Sequence, residues 1–256
     1  MGDPLAKWDR PHFEPGGGEP YLFYVVYGDV DTDAPLSRSA YRSEGIPEGI
    51  DLSRYTRAEH PDVFAGFESD PLGQQLRSSG IDIAAAVEQA SACLILRGTL
   101  PDSPDLDYLR NSIGLLTWCL DNGGCIIFDA QALAWWRADK WRETIFEPGK
   151  PDTGRHVTIL CSEDDRRDTK WFHTRGMRKF GRPDISVRHV PPAREGGIID
   201  LCNRLIELQA LGAIVAEGRE IDMATLPPGG TARHGGDLDD PDFNNFHIEI
   251  AWPNGL

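Results

Sequence analysis

What this chain lacks narrows its function first. No apolar run approaches the roughly 20 residues a membrane span needs. Residues 1–20 mix charges and prolines with Gly16-Gly17-Gly18, and hold no apolar core of a signal peptide. The expectation is a soluble bacterial protein of the cytoplasm, with no membrane partner. Cysteine is scarce and odd in number, at Cys93, Cys119, Cys125, Cys161 and Cys202. Wide spacing inside mostly apolar runs fits reduced core thiols and excludes a disulfide framework. Cys119 and Cys125 stand too far apart for a paired-cysteine zinc site. Basic residues are outnumbered, 26 against 41 acidic, for a net charge of -15. That balance repels phosphate backbones, so no nucleic-acid partner is expected. No Gly-x-Ser-x-Gly or His-Glu-x-x-His motif occurs, and Gly16-Gly17-Gly18 precedes a strand and lacks the Lys-Ser/Thr of a phosphate loop. No cofactor is expected.

What is present is a chain of 256 residues, 40% hydrophobic, with seven Trp and ten Phe, enough for one large core or two small ones. Residues 21–27 (YLFYVVY) read as a central strand, apolar on both faces. Residues 29–71 read as a charged surface excursion with one helical turn near 50–55. A helix from Asp82 to Ala90 and a strand at 93–96 follow. Ser103 reads as an N-cap and Pro104 as the first position of a helix. Leu106, Leu109, Ile113, Leu116 and Leu120 form its apolar stripe, and the strand at 125–128 follows it. This strand–helix–strand pattern suggests a crossover unit. Residues 130–146 read as a Trp-rich helix. After a break at 147–154, strands are expected at 156–160, 184–190 and 246–252. A long helix is expected at 195–216, capped by Gly218, and a Gly- and Asp-rich loop at 227–242.

The fold class is therefore α/β or α+β, with mixed sheets flanked by helices. Residues 1–20 are expected as a flexible arm. Residues 21–256 form one compact domain, with a division into halves 21–147 and 155–256 as the alternative.

The densest segment for chemistry runs from Trp171 to Asp184. It joins Trp171, Phe172 and His173 to Arg175, Arg178, Lys179 and Arg182. Two buried rings would hold the cations at an edge, where guanidinium groups suit carboxylate or phosphate partners. The alternative is that the cations pair within the protein itself. His173 titrates near neutrality and suits a general base. Asp129, past the end of a strand, is its candidate partner, and capping the next helix is the competing role for Asp129. Trp135 and Trp136 are candidate interface anchors.

The positions Thr174, Gly176, Met177, Phe180, Gly181, Pro183 and Asp184 match a Thr-x-Gly-Met/Leu, Phe-Gly, Pro-Asp/Glu pattern. Asp129, Ala130, Gln131, Trp135 and Trp136 match the turn after the crossover strand. Over residues 100–183 the chain resembles a family of bacterial domains of unknown function. That resemblance implies an α/β fold and no particular chemistry.

Three acidic groupings offer residue types that ligate metals. Asp29, Asp31 and Asp33 imitate the start of a calcium loop, but Ala34 and Ala40 stand where an EF-hand needs Gly and Glu. Asp237, Asp239, Asp240 and Asp242 form a solvated loop. His234, His247 and Glu249 have suitable ligand types without fixed geometry. No metal site is expected from any of them. The leading functional reading is a binding or interaction module for an acidic peptide or partner protein. A hydrolase acting on a small anion, with His173 as base and Arg175 or Arg178 holding the substrate, is the second. A structural part of a larger assembly is the third. Oligomeric state is not legible.

Overall fold

The computed structural model describes residues 5–253, 255 and 256. In chain order the elements are β1 (Tyr21–Gly28), α1 (Arg38–Tyr41), β2 (Ile50–Thr56), α2 (Pro61–Glu68), α3 (Leu72–Ser78), α4 (Ile81–Gln89), β3 (Ala92–Thr99), α5 (Asp107–Asp121), β4 (Gly124–Asp129), β5 (Ala134–Arg137), α6 (Ala138–Trp141), β6 (Thr158–Glu163), β7 (Lys170–Arg175), β8 (Asp184–Val190), α7 (Glu195–Ala210), β9 (Glu220–Ile221), β10 (Gly230–Gly235) and β11 (His247–Ala251). The alternation of helices and two sheets makes this a mixed α/β fold. No helix among the described residues is long and apolar enough to cross a membrane.

The chain divides into two compact units. The first holds residues 5–8, 22–100 and 105–152 of the described chain. Its five-stranded sheet has the order β2-β3-β1-β4-β5. The apolar run at 21–27 is its middle strand. Strand alternation sends Val25, Tyr27, Cys93, Ile95, Ile126, Phe128 and Trp135 into one core with Phe64, Leu76, Ile83 and Val87 of α2, α3 and α4. Helix α5 packs against β4, and Leu106, Leu109, Ile113, Leu116 and Leu120 are buried as their spacing predicts.

Several local expectations give way. β1 lies between β3 and β4, so the strand–helix–strand unit does not join adjacent strands. Helix α5 starts at Asp107, after Ser103 and Pro104. Residues 50–56 pair along their whole length with β3 and form a strand where a helical turn was expected. Residues 134–137 pair with β4 as β5, and only 138–146 are helical. Pairing along an open sheet edge outweighs the helical reading of the Trp-rich segment.

The second unit holds residues 9–21, 101–104 and 153–256. Its six-stranded sheet has the order β6-β7-β8-β11-β10-β9. The β8–β11 pair is parallel and the other pairs are antiparallel. Helix α7 packs on β7 and β8, burying Ile198, Leu201, Cys202, Leu205 and Ile206 at helical spacing. Phe172, Ile185, Val187, Ile248 and Ile250 supply the apolar sheet face beneath it. The helix ends at Ala210, short of Ala216, because Gly212 turns the chain with φ +110. The expected loop at 227–242 contains β10.

Of residues 1–20, expected as an arm, 1–4 lie outside the described residues, 5–8 belong to the first unit and 9–20 run through this one. His12 and Glu14 donate their amides to Leu211 and Gly212, and Gly18 donates to Gly181. Arg10 is 3% exposed.

Candidate functional site

In strand β7, alternation sends Trp171, His173 and Arg175 to the sheet face turned away from α7. Register places Ser186 of β8 opposite His173, and Glu249 of β11 opposite Ser186. The Trp171 indole donates to Ser186 Oγ at 2.9 Å. Its ring stacks on His173, with centroids 3.9 Å apart. The Arg188 guanidinium lies 4.1 Å over the same indole. Phe243 meets Trp171 and His173 edge-on and stacks on His247 at 4.4 Å.

Phe243 belongs to a strap, residues 236–246, laid over this face. The strap is tied down by Arg175, which donates to the carbonyls of Pro241 and Asp242. Arg178 donates to the carbonyl of Asn244. Asn245 donates to the carbonyl of Arg182 and to Asp184. Gly236 must be glycine here, since its φ is +73 and a Cβ would stand 2.7 Å from His247 Nδ1.

Electrostatics follow from burial. Desolvation pushes His173 down to about 4, with Arg175 and Arg188 adding to the effect and Asp242 opposing it. Desolvation also lowers His247, against the pull of Asp240 and Glu249. Burial raises the Asp184 carboxyl to about 6, although Asn245, Thr174 and the Met177 amide all bond to it. His173 is thus a neutral imidazole at physiological pH. A neutral imidazole can accept a proton, but one pushed this low is a weak base at neutral pH, and its Nδ1 has no hydrogen-bond partner to orient it.

The other residues singled out from the sequence have internal roles. Arg175, Lys179 and Arg182 are buried, at 7%, 0% and 2% exposure, so they do not form a surface patch with half-buried Arg178. The cause is a ring of loop carbonyls. Arg182 donates to Gly181, Gly212, Ala213 and Glu14, and bonds Asp102. Arg178 lies 4.6 Å over the Tyr21 ring. Asp129 belongs to the first unit, where it accepts the amides of Gln131 and Ala132 in the turn between β4 and β5; no helix starts there, so it is neither a partner of His173 nor a helix cap. Trp135 is buried and stacks on Phe128 at 4.1 Å. Trp136 is half-buried and meets Trp141 edge-on.

The acidic groupings also resolve. Asp31 accepts the Asp33 amide, and Asp237 and Asp240 accept the amides of Asp239 and Asp242. His234 alternates away from His247 and Glu249, and its ring bonds the Val215 carbonyl. Among the described residues, one group of three ligating side chains does converge: Asp164, Asp165 and His189. The sequence reading missed it, because the two elements meet only through the sheet.

It also missed a groove of about 790 Å³ beside α7 in the second unit. Leu201, Leu205, Val215 and Met223 supply its apolar floor, and Leu208, Arg204 and Arg219 its exposed rim. Strand β9 forms one wall and is also an edge of the sheet. Leu201, Leu205 and Leu208 were legible as a helix stripe; nothing in the sequence indicated that the stripe's margin stays open. No family model, curated protein or solved structure matches this chain.

Proposed function

We propose that this protein is a binding module which takes an extended segment of a partner protein in the groove between α7 and β9. The observation that carries this reading is the open strand edge that walls an apolar-floored groove. A sheet edge offers main-chain donors and acceptors to an added strand, and alternate side chains then seat in flanking pockets. The volume lies in the range of about 300–1,000 Å³ typical of ligand clefts. Leu208, at 39% exposure, is left for a partner to cover.

Arg204 and Arg219 stand at the rim, with Glu14, Glu220 and Asp222 opposing them. The segment that fits is apolar at alternate positions, with an acidic group facing the arginines. An acidic peptide partner would dock in this groove and not at the 175–182 stretch, where Arg175 and Arg182 are buried. The hydrolase reading is the weaker one, since burial makes His173 a poor base at neutral pH and its Nδ1 has no hydrogen-bond partner to orient it.

The test is selection of a random peptide library on the immobilised protein. Enriched sequences are expected to lose binding to Leu208→Glu and Ile221→Pro while retaining it on Glu44→Ala. Failure to enrich any sequence, or equal binding to all variants, overturns the proposal.

A further inference from the structure

We infer that Asp164, Asp165 and His189 form a binding site for a first-row divalent cation of the zinc type. The site is built at the end of β6 and on β8, within the second unit. His189 Nδ1 stands 3.3 Å from Asp164 Oδ2 and 3.2 Å from Asp165 Oδ1. Zinc bonds to nitrogen and oxygen of about 2.0–2.2 Å place tetrahedral ligands about 3.3–3.5 Å apart, so these separations are edges of such a tetrahedron.

A second observation points to a ligand. His189 Nδ1 is enclosed and makes no hydrogen bond, even with two carboxylate oxygens this close. The nitrogen and both oxygens lie within 4.8 Å of one another, so that one ion could sit at a point among them. A cation at that point would accept all three lone pairs.

The supporting groups are those that hold metal ligands in place. The Asp164 side chain is 0% exposed. Its Oδ2 accepts the His189 amide at 2.6 Å and its Oδ1 the Asp165 amide at 2.8 Å. Arg188 bonds the same Oδ1 at 3.3 Å, turned away from the Oδ2 that faces His189. Hydrogen-bonded carboxylates of this kind orient a ligand and fix its ionised form. His189 holds φ +57, a conformation uncommon outside glycine and asparagine. Asp165 is exposed, which leaves a side open for water as a further ligand. One imidazole with two carboxylates suits zinc, cobalt or manganese over magnesium and calcium, which need more oxygen ligands.

The experiment is calorimetric titration of the full chain with zinc chloride near neutral pH, with cobalt absorption as the spectroscopic readout. Wild type is expected to bind one equivalent and to show the intense visible bands of tetrahedral cobalt. Asp165→Asn and His189→Asn are expected to weaken binding roughly tenfold or more. Asparagine tolerates the backbone of residue 189, and Asp165 is 75% exposed, so both variants are expected to fold. Magnesium is expected to give no saturable heat. Absence of saturable zinc binding overturns the inference. So does equal affinity in wild type and both variants, which would assign the metal to other surface groups.

Discussion

Trp171 lies flat on His173, with ring centroids 3.9 Å apart and 21° between planes. The stack keeps the imidazole dry and therefore neutral. His156, 3% exposed, is driven further, to about 3, by desolvation with the Lys179 charge adding to it. Both histidines titrate near 6.5 once unfolded. Between their folded values and 6.5 the unfolded chain binds more protons, so stability rises with pH across that window and is lost as pH falls. Each histidine contributes a slope approaching about 1.4 kcal/mol per pH unit. Urea unfolding is expected to show a falling midpoint from about pH 7 to about pH 5. His173→Phe keeps a ring on the indole and is expected to flatten that fall. An unchanged profile would remove His173 from the account.

Asp184 works in the opposite sense. Its folded value of about 6 lies above the unfolded carboxylate. Its contribution is full below the unfolded value and is lost as pH rises through about 6. It partly offsets the histidines in the acid range. Asp184→Asn is expected to lower stability at neutral pH, since the Asn245 amide then faces a second amide. It is also expected to steepen the acid loss. The pH series of unfolding midpoints separates the two effects, and a slope no steeper than wild type would refute the offset.

The strands read at 21–27, 93–96 and 125–128 were legible as continuous apolar runs of strand length, and that at 184–190 by its alternation. Residues 50–56 were not, since Arg54 and Tyr55 reverse the apolar–polar alternation that Ile50 to Ser53 begin. Trp135 and Trp136 fit a helix or a strand equally well, and only the edge offered by β4 decides. The cations at 175, 179 and 182 looked like a surface patch for a related reason. Sequence shows their charge but not the loop carbonyls of residues 212–213 and 241–242 that surround two of them. Asp164 and His189 are distant in sequence and meet only through the β6–β7–β8 register.

Two helical glycines separate propensity from packing. At Gly66 in α2 a Cβ would meet nothing within 4 Å, whereas at Gly114 in α5 it would stand 2.0 Å from the Tyr41 carbonyl oxygen. Alanine gains roughly 0.5–1 kcal/mol over glycine inside a helix. Gly66→Ala is expected to raise stability by about that amount. Gly114→Ala is expected to lower it, because backbone on both sides must move apart. Thermal unfolding of both variants checks the pair, and a stabilised Gly114→Ala would show that α5 shifts freely.

Arg10 and Arg182 share one carboxylate, Asp102, at 2.8 and 3.1 Å. Their side chains are 0% and 1% exposed, and that of Asp102 is 13%. Each guanidinium also donates to loop carbonyls, Arg10 to those of Ala210, Ser103 and Phe180. Carbonyls satisfy the N–H groups but leave the charge uncompensated. Removing the carboxylate therefore strands two buried cations close together. Asp102→Ala is expected to cost about 3–5 kcal/mol, the range for breaking a buried pair. Glu44→Ala removes the Arg38–Glu44 pair, which is 62% and 51% exposed, and is expected to stay within about 0.5 kcal/mol of wild type. Asp102→Asn keeps an acceptor oxygen without the charge. It is expected to fall near Asp102→Ala if charge dominates, and near wild type if hydrogen bonding alone holds the two arginines. Denaturant unfolding of the three variants distinguishes these outcomes.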